Sequence, residues 1–152
     1  MNTPTHIHHI NFIVKDLEAQ VKRYQDMLGL GEFEFEQLPK RGVATARILL
    51  GQTWLVLVSP LRADSLPGRY LQKNGEGFFL LSLGIKGLDA ALKDYEARGV
   101  IAPDTAIRDG LMDWRVVDLD TKDALGARFH FCLLYTSPSP RDATLSRMPS
   151  SA

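Results

Sequence analysis

Cysteine is nearly missing from this 152-residue chain. Cys132 stands alone, which excludes an internal disulfide framework and a cysteine-rich zinc site. Excess charge is missing as well: eighteen basic residues balance eighteen acidic ones, so no overall field draws the chain to nucleic acid or an anionic membrane. The longest apolar stretches, such as Gly77 to Leu83, fall far short of a bilayer span. The opening MNTPTHIHHINF has neither the basic start nor the apolar core of a signal peptide, so a cytoplasmic location is expected. No Ser/His/Asp ordering, phosphate-binding Gly-Lys loop, dinucleotide fingerprint or paired-cysteine motif occurs, which argues against nucleophilic catalysis and nucleotide hydrolysis. What remains, at 45% hydrophobic and 24% charged, is the composition of one soluble domain or of two small modules sharing a core.

From Cys132 onward the pattern breaks. CLLYTSPSPRDATLSRMPSSA holds three of the eight prolines and follows neither helical nor strand periodicity. Composition alone reads it as a disordered Ser/Pro tail. CLLYTSPSPRD and SRMPSSA also match translations of two successive parts of a transposase-type sequencing adapter, with Ala143 to Leu145 where an index would fall. Residues 132–152 are therefore expected to be a non-native read-through tail, with the domain at 1–131 and its own natural end missing. Setting the tail aside removes Arg141, Arg147 and Asp142, leaving 16 basic and 17 acidic residues and no cysteine.

Within the remainder there is a repeat. Val14-Lys15-Asp16-Leu17-Glu18-Ala19 through Tyr24 aligns with Ile85-Lys86-Gly87-Leu88-Asp89-Ala90 through Tyr95 at an offset of 71. Each copy reads as strand then helix. Ile10, Phe12 and Val14 alternate with His9, Asn11 and Ile13, the period of a strand with two different faces. Asp16 then caps a helix whose Leu17, Val21, Tyr24 and Leu28 form one stripe, and Gly29 ends it. Leu88, Leu92 and Tyr95 repeat the stripe, which stops at Gly99. Further strands are expected at Glu32 to Gln37, Val43 to Leu50, Thr53 to Ser59, Trp114 to Leu119 and Ala127 to Phe131, with a weaker one near Val100. The fold class is thus α+β: paired βαβββ modules, about 7–59 and 78–131 with a linker at 60–77, forming a curved mixed sheet around a shared cleft.

This βαβββ pair, opened by IHHINFIVKDLEAQVKRYQDMLGL, resembles the vicinal oxygen chelate superfamily of glyoxalases, bleomycin resistance proteins and ring-cleaving dioxygenases. RGVATARILLGQTWLVLVSPL and DSLPGRYLQKNGEGFFLLSL are most similar to its methylmalonyl-CoA epimerase branch. The resemblance implies four metal-ligand positions on four strands, which fall here on His9, Val56, Leu80 and His130. Two of these retain a lone pair. A divalent ion (Co, Mn, Ni or Zn) on His9 and His130 is then implied, steadying an oxyanion while a proton moves alpha to a carbonyl of a small acyl substrate. His130 is either a ligand or the catalytic base, since one nitrogen cannot be both. The implied activity is that of an isomerase (epimerase) or a lyase. A glyoxalase- or dioxygenase-type reaction asks for a fuller ligand set.

The alternative is a metal-free member of the same fold that binds a small molecule in an apolar cleft, to which Val56 and Leu80 contribute. Asn11 shares the strand face of His9 and joins the cleft residues. Arg47 either faces the cleft and holds a carboxylate or phosphate, or points to solvent. His6 and His8 read as surface or strand-start residues. Glu32, Glu34 and Glu36 alternate with Phe33 and Phe35, giving an edge strand with a solvated acidic face. Of Phe78 and Phe79, one belongs to the core and the other to the cleft. The expected partner is a small molecule, with no nucleic acid and no membrane, and a homodimer is implied by resemblance.

Overall fold

The computed structural model describes residues 3–102 and 105–133. The first module runs β1 (His6–Ile13), α1 (Leu17–Leu28), β2 (Glu34–Leu38), β3 (Val43–Leu50) and β4 (Thr53–Pro60). After α2 (Leu66–Asn74), the second runs β5 (Gly77–Ile85), α3 (Leu88–Ala97), β6 (Arg108–Asp109), β7 (Arg115–Leu119), α4 (Lys122–Leu125) and β8 (Arg128–Leu133). All eight strands join one mixed, curled sheet in the order β2-β3-β4-β1-β5-β8-β7-β6. In each module the opening strand lies parallel to the last one, β1 beside β4 and β5 beside β8. The modules meet through the antiparallel pair of β1 and β5. The repeat offset reappears there as geometry: His9 lies opposite Ser82 and Asn11 opposite Leu80, as a local two-fold axis relating 9 to 80 and 11 to 82 requires.

Strand alternation decides what each face does. Phe12 and Val14 pack with Val21, Leu57 and Ala46 beneath α1. Ile85, Val117 and Phe131 pack with Leu88 and Ala91 beneath α3. The opposite, concave face is left for the cleft. The carboxylate of Asp16 caps α1 by accepting from the Ala19 N–H at 3.1 Å, and Gly29 closes it in the left-handed region, its N–H donating to the Gln25 carbonyl. The predicted stripe holds through Leu17, Val21 and Tyr24, whereas Leu28, in the last turn, is exposed. In the second copy Gly87 takes the place of Asp16 and gives no side-chain cap.

The expected linker is partly helical. Ser65 caps α2 by accepting from the Gly68 N–H, and Pro67 sits in the first turn, where its missing N–H costs nothing. Gly68 is required by contact: a Cβ there would lie 2.3 Å from the Arg62 carbonyl oxygen. The weak strand near Val100 does not form. Val100 donates its N–H to the Tyr95 carbonyl at 2.9 Å and accepts from the Asp120 N–H at 2.7 Å, and the sheet edge is the two-residue β6. β8 runs on through Cys132 and Leu133, which pair with Gly84 and Ile85, so the first two residues of the expected tail complete a strand. The rest of that tail, 134–152, lies outside the described residues. No helix among the described residues is long and apolar enough to cross a membrane.

Candidate functional site

The concave face encloses a cavity of about 140 Å³. His9, Val56, Leu80 and His130 all line it, one from each of β1, β4, β5 and β8. Asn11, Thr45, Val58, Phe79, Leu111, Trp114, Asp118 and Arg128 add to the wall. Ser82 binds the centre together, since it pairs with His9 on one side and His130 on the other. Its hydroxyl is fully buried and has no hydrogen-bond partner among the described residues.

Two irregularities in the β1–β5 ladder shape the site. The register shifts between Ile7 and His9, so His8 is an extra residue on β1. A strand would otherwise turn neighbouring side chains to opposite faces, yet both imidazoles rest on Trp114, with ring centroids 4.6 and 4.8 Å away. Their Nδ1 atoms lie 2.9 Å apart. His8 is thus a half-buried part of the site rather than a surface residue. The second shift, between Asn11 and Phe12, makes Phe79 the extra residue on β5, and Phe79 and Leu80 both pack on Ile13 in the cavity wall. Phe78 stays partly exposed against Phe12.

The charged groups are arranged around His130. Asp118 Oδ1 accepts from His130 Nε2 at 2.6 Å and from Arg108 at 2.9 Å. Burial opposes the charge on Asp118, but the bonds from His130 and Arg108 outweigh it and hold its pKa at about 2. An ionised carboxylate only accepts, so His130 carries its proton on Nε2 and keeps Nδ1 as its basic nitrogen. Burial lowers the His130 pKa against the pull of Asp118, which leaves the ring neutral at pH 7. Burial also carries His9 well below its ordinary value, with the charges of His8, His130 and Arg108 adding to it. His8 is lowered to about 4, by burial and then by His6.

Arg47 does not line the cavity. It is buried on β3, its two terminal nitrogens 2.6 Å from Glu36 and 3.2 Å from Glu34, and its guanidinium lies over Trp54. The side chain points neither to the cleft nor to solvent, because the acidic face of β2 supplies its countercharge. That face is consequently an ion-pairing surface and not merely a solvated one.

The four-ligand ion implied by the superfamily does not fit these residues. Val56 and Leu80 offer no lone pair, one ring nitrogen of His130 is taken by Asp118, and one of His9 by His8. A different cluster, His8, His9 and Cys132, brings three potential ligand atoms within 4.8 Å of one another and could hold a metal ion. Burial pushes the Cys132 thiol up to about 12. Several site residues were not singled out in the sequence: His8, Arg108, Trp114, Asp118 and Arg128. Strand parity carried a signal for two of them, since Asp118 shares a strand face with Val116 and Arg128 with His130. Arg108, on a two-residue strand, carried none.

This fold and its cleft define a class. The family model of the Glyoxalase/Bleomycin resistance protein/Dioxygenase superfamily matches residues 8–117, and the chain belongs to that superfamily. Within it the chain is similar to methylmalonyl-CoA epimerases. It is 29% identical to the human mitochondrial enzyme over 121 residues, covering 79% of this chain and 69% of that protein. The mouse enzyme is 30% identical over 121 residues, covering 79% and 68%. A variant of the Streptomyces coelicolor enzyme, solved in complex with 2-nitronate-propionyl-CoA, superposes with a TM-score of 0.81 at 32% identity, over 91% of this chain and all of that one (100%).

Proposed function

We propose that this chain moves a proton alpha to the carbonyl of a small acyl thioester, with His130 as the catalytic base. The observation that carries the reading is the His130–Asp118 pair: a neutral imidazole in the cavity wall, its Nε2–H fixed on an ionised carboxylate and its Nδ1 basic. A base held in one tautomer and kept neutral by burial suits carbon-acid chemistry. Nδ1 takes the alpha proton and the C–H electron pair moves into the enolate. His130 then returns a proton to the alpha carbon, to the same face in exchange or, once the planar enolate has turned over in the cavity, to the opposite face in epimerisation. Asn11 and Arg108 line the same cavity and supply donors for the enolate oxygen. Val56, Leu80, Phe79 and Leu111 make the wall apolar, which strengthens these polar contacts. The small cavity holds the acyl group, and anything larger on the thioester extends through its mouth. Similarity to the epimerases supports the substrate class and an isomerase activity.

The test is deuterium incorporation from D2O at the alpha carbon of methylmalonyl-CoA, read by mass spectrometry. The native chain should catalyse exchange, and His130→Gln should slow it by roughly 100-fold or more. The apolar wall favours a second reading, a metal-free binding protein. A thioester that binds stoichiometrically and exchanges no faster than in buffer would establish that reading and overturn the first.

A further inference from the structure

Three guanidiniums line the cavity, from Arg41, Arg108 and Arg128. Arg108 is answered by Asp118 at 2.9 Å. Arg41 belongs to the first module's wall, beside Leu38 and Val43. Arg128 differs from both. It stands next to Leu80 in the sheet, and its Cζ lies over the rings of Tyr70 and Phe79, 5.7 and 5.9 Å from their centres. Those aromatic faces fix the plane of the guanidinium but carry no countercharge. Its Nε is buried with no hydrogen-bond partner, and no carboxylate lies within ion-pair distance among the described residues. A cation held in an apolar wall with an orphaned donor is costly, and an anion on the ligand relieves that cost.

Spacing says what kind of anion. Arg128 and His130 are two residues apart on one face of β8, roughly 6.6–6.8 Å at the backbone. That interval accommodates a carboxylate on the guanidinium and the adjoining C–H at the imidazole. Val56 and Leu80 cannot hold an ion there, so the positive charge for such a group has to come from a side chain. We infer that Arg128 is the specificity residue of this cavity and selects acyl thioesters whose exchanging carbon also bears a carboxylate. Arg128 donates in parallel to both carboxylate oxygens and turns the alpha C–H toward His130. This inference rests on the thioester reading above.

The experiment compares equilibrium binding of methylmalonyl-CoA and propionyl-CoA, which differ by that one carboxylate, to the native chain, Arg128→Met and Arg128→Lys. The native chain should prefer the carboxylate-bearing thioester by about 10–100-fold. Arg128→Met should abolish the preference while leaving propionyl-CoA affinity within about threefold of native, and Arg128→Lys should retain part of it. Thermal unfolding of each variant reports that the fold survives, and Arg128→Lys keeps the charge if the Met variant does not fold. A preference that persists in Arg128→Met, or a native chain that binds both thioesters equally, overturns the inference and leaves the thioester reading standing. A native chain that binds neither overturns both.

Discussion

Replacing Asp118 by Asn isolates the interaction on which the proposed chemistry depends. The substitution keeps the shape and removes the charge that two donors share. Hydrogen bonds to charged groups contribute about 1.5–3 kcal/mol each when dry, and exposed ion pairs less than about 1. The Asp118 side chain is 56% exposed, while those of His130 and Arg108 are 12% and 25% exposed, so the pair of bonds falls between these limits. The expected loss is about 2 kcal/mol at pH 7, or roughly 4–8 °C in Tm for a chain of this size. The pH dependence gives a second readout. The folded pKa of Asp118 is depressed, so its stabilisation is present above the ordinary value of 3.8 and disappears as pH falls through about 2. The folded pKa of His130 is also lowered, so the unfolded chain takes up that proton first and stability declines as pH drops below 6.5. In Asp118→Asn nothing pulls the His130 pKa back up, and the decline between pH 7 and 5 should steepen. Urea unfolding across that range measures both effects. A variant within about 0.5 kcal/mol of native, with a parallel pH profile, would refute the claim that Asp118 holds His130.

Two further substitutions test the division of labour around the cavity. Arg47→Met should cost about 1–2 kcal/mol by stranding Glu34 and Glu36, yet leave thioester binding unchanged, since Arg47 lies outside the lining; a selective loss of binding at intact stability would contradict its placement. The double variant Val56→Gln with Leu80→His supplies donors at the two apolar ligand positions. It should take up about one cobalt ion per chain at concentrations where the native chain shows no uptake that depends on His130, and calorimetry would show whether it does.

Much of the fold was legible because it is written in local periodicity. Alternation in β1, the stripe of α1 and the 71-residue repeat all follow from backbone geometry, and the repeat required the modules to pair. The two imidazoles that face the cavity, His9 and His130, were marked by the superfamily resemblance and not by any local pattern. α2 escaped because Pro67 and Gly68 look like loop residues unless the Ser65 cap and the close approach of the Arg62 carbonyl are known. Arg47 was left between the cleft and solvent, and the strand's own sequence does not decide between them. Only the neighbouring strand shows Glu34 and Glu36 drawing it away.

The amino-acid order by itself determined the strands, the helices beneath the sheet, the duplicated architecture and the loss of lone pairs at Val56 and Leu80. These depend on side-chain type and on periods of two and 3.6, which act over a few residues. The tertiary structure alone decided the rest. The bulge at His8 turns two adjacent rings to one face, Asp118 reaches from β7 to β8 to set the tautomer of His130, and Arg128 is left without a countercharge among the described residues. Each is a relation between neighbouring strands of the sheet, where register and desolvation decide the outcome and no local pattern records them.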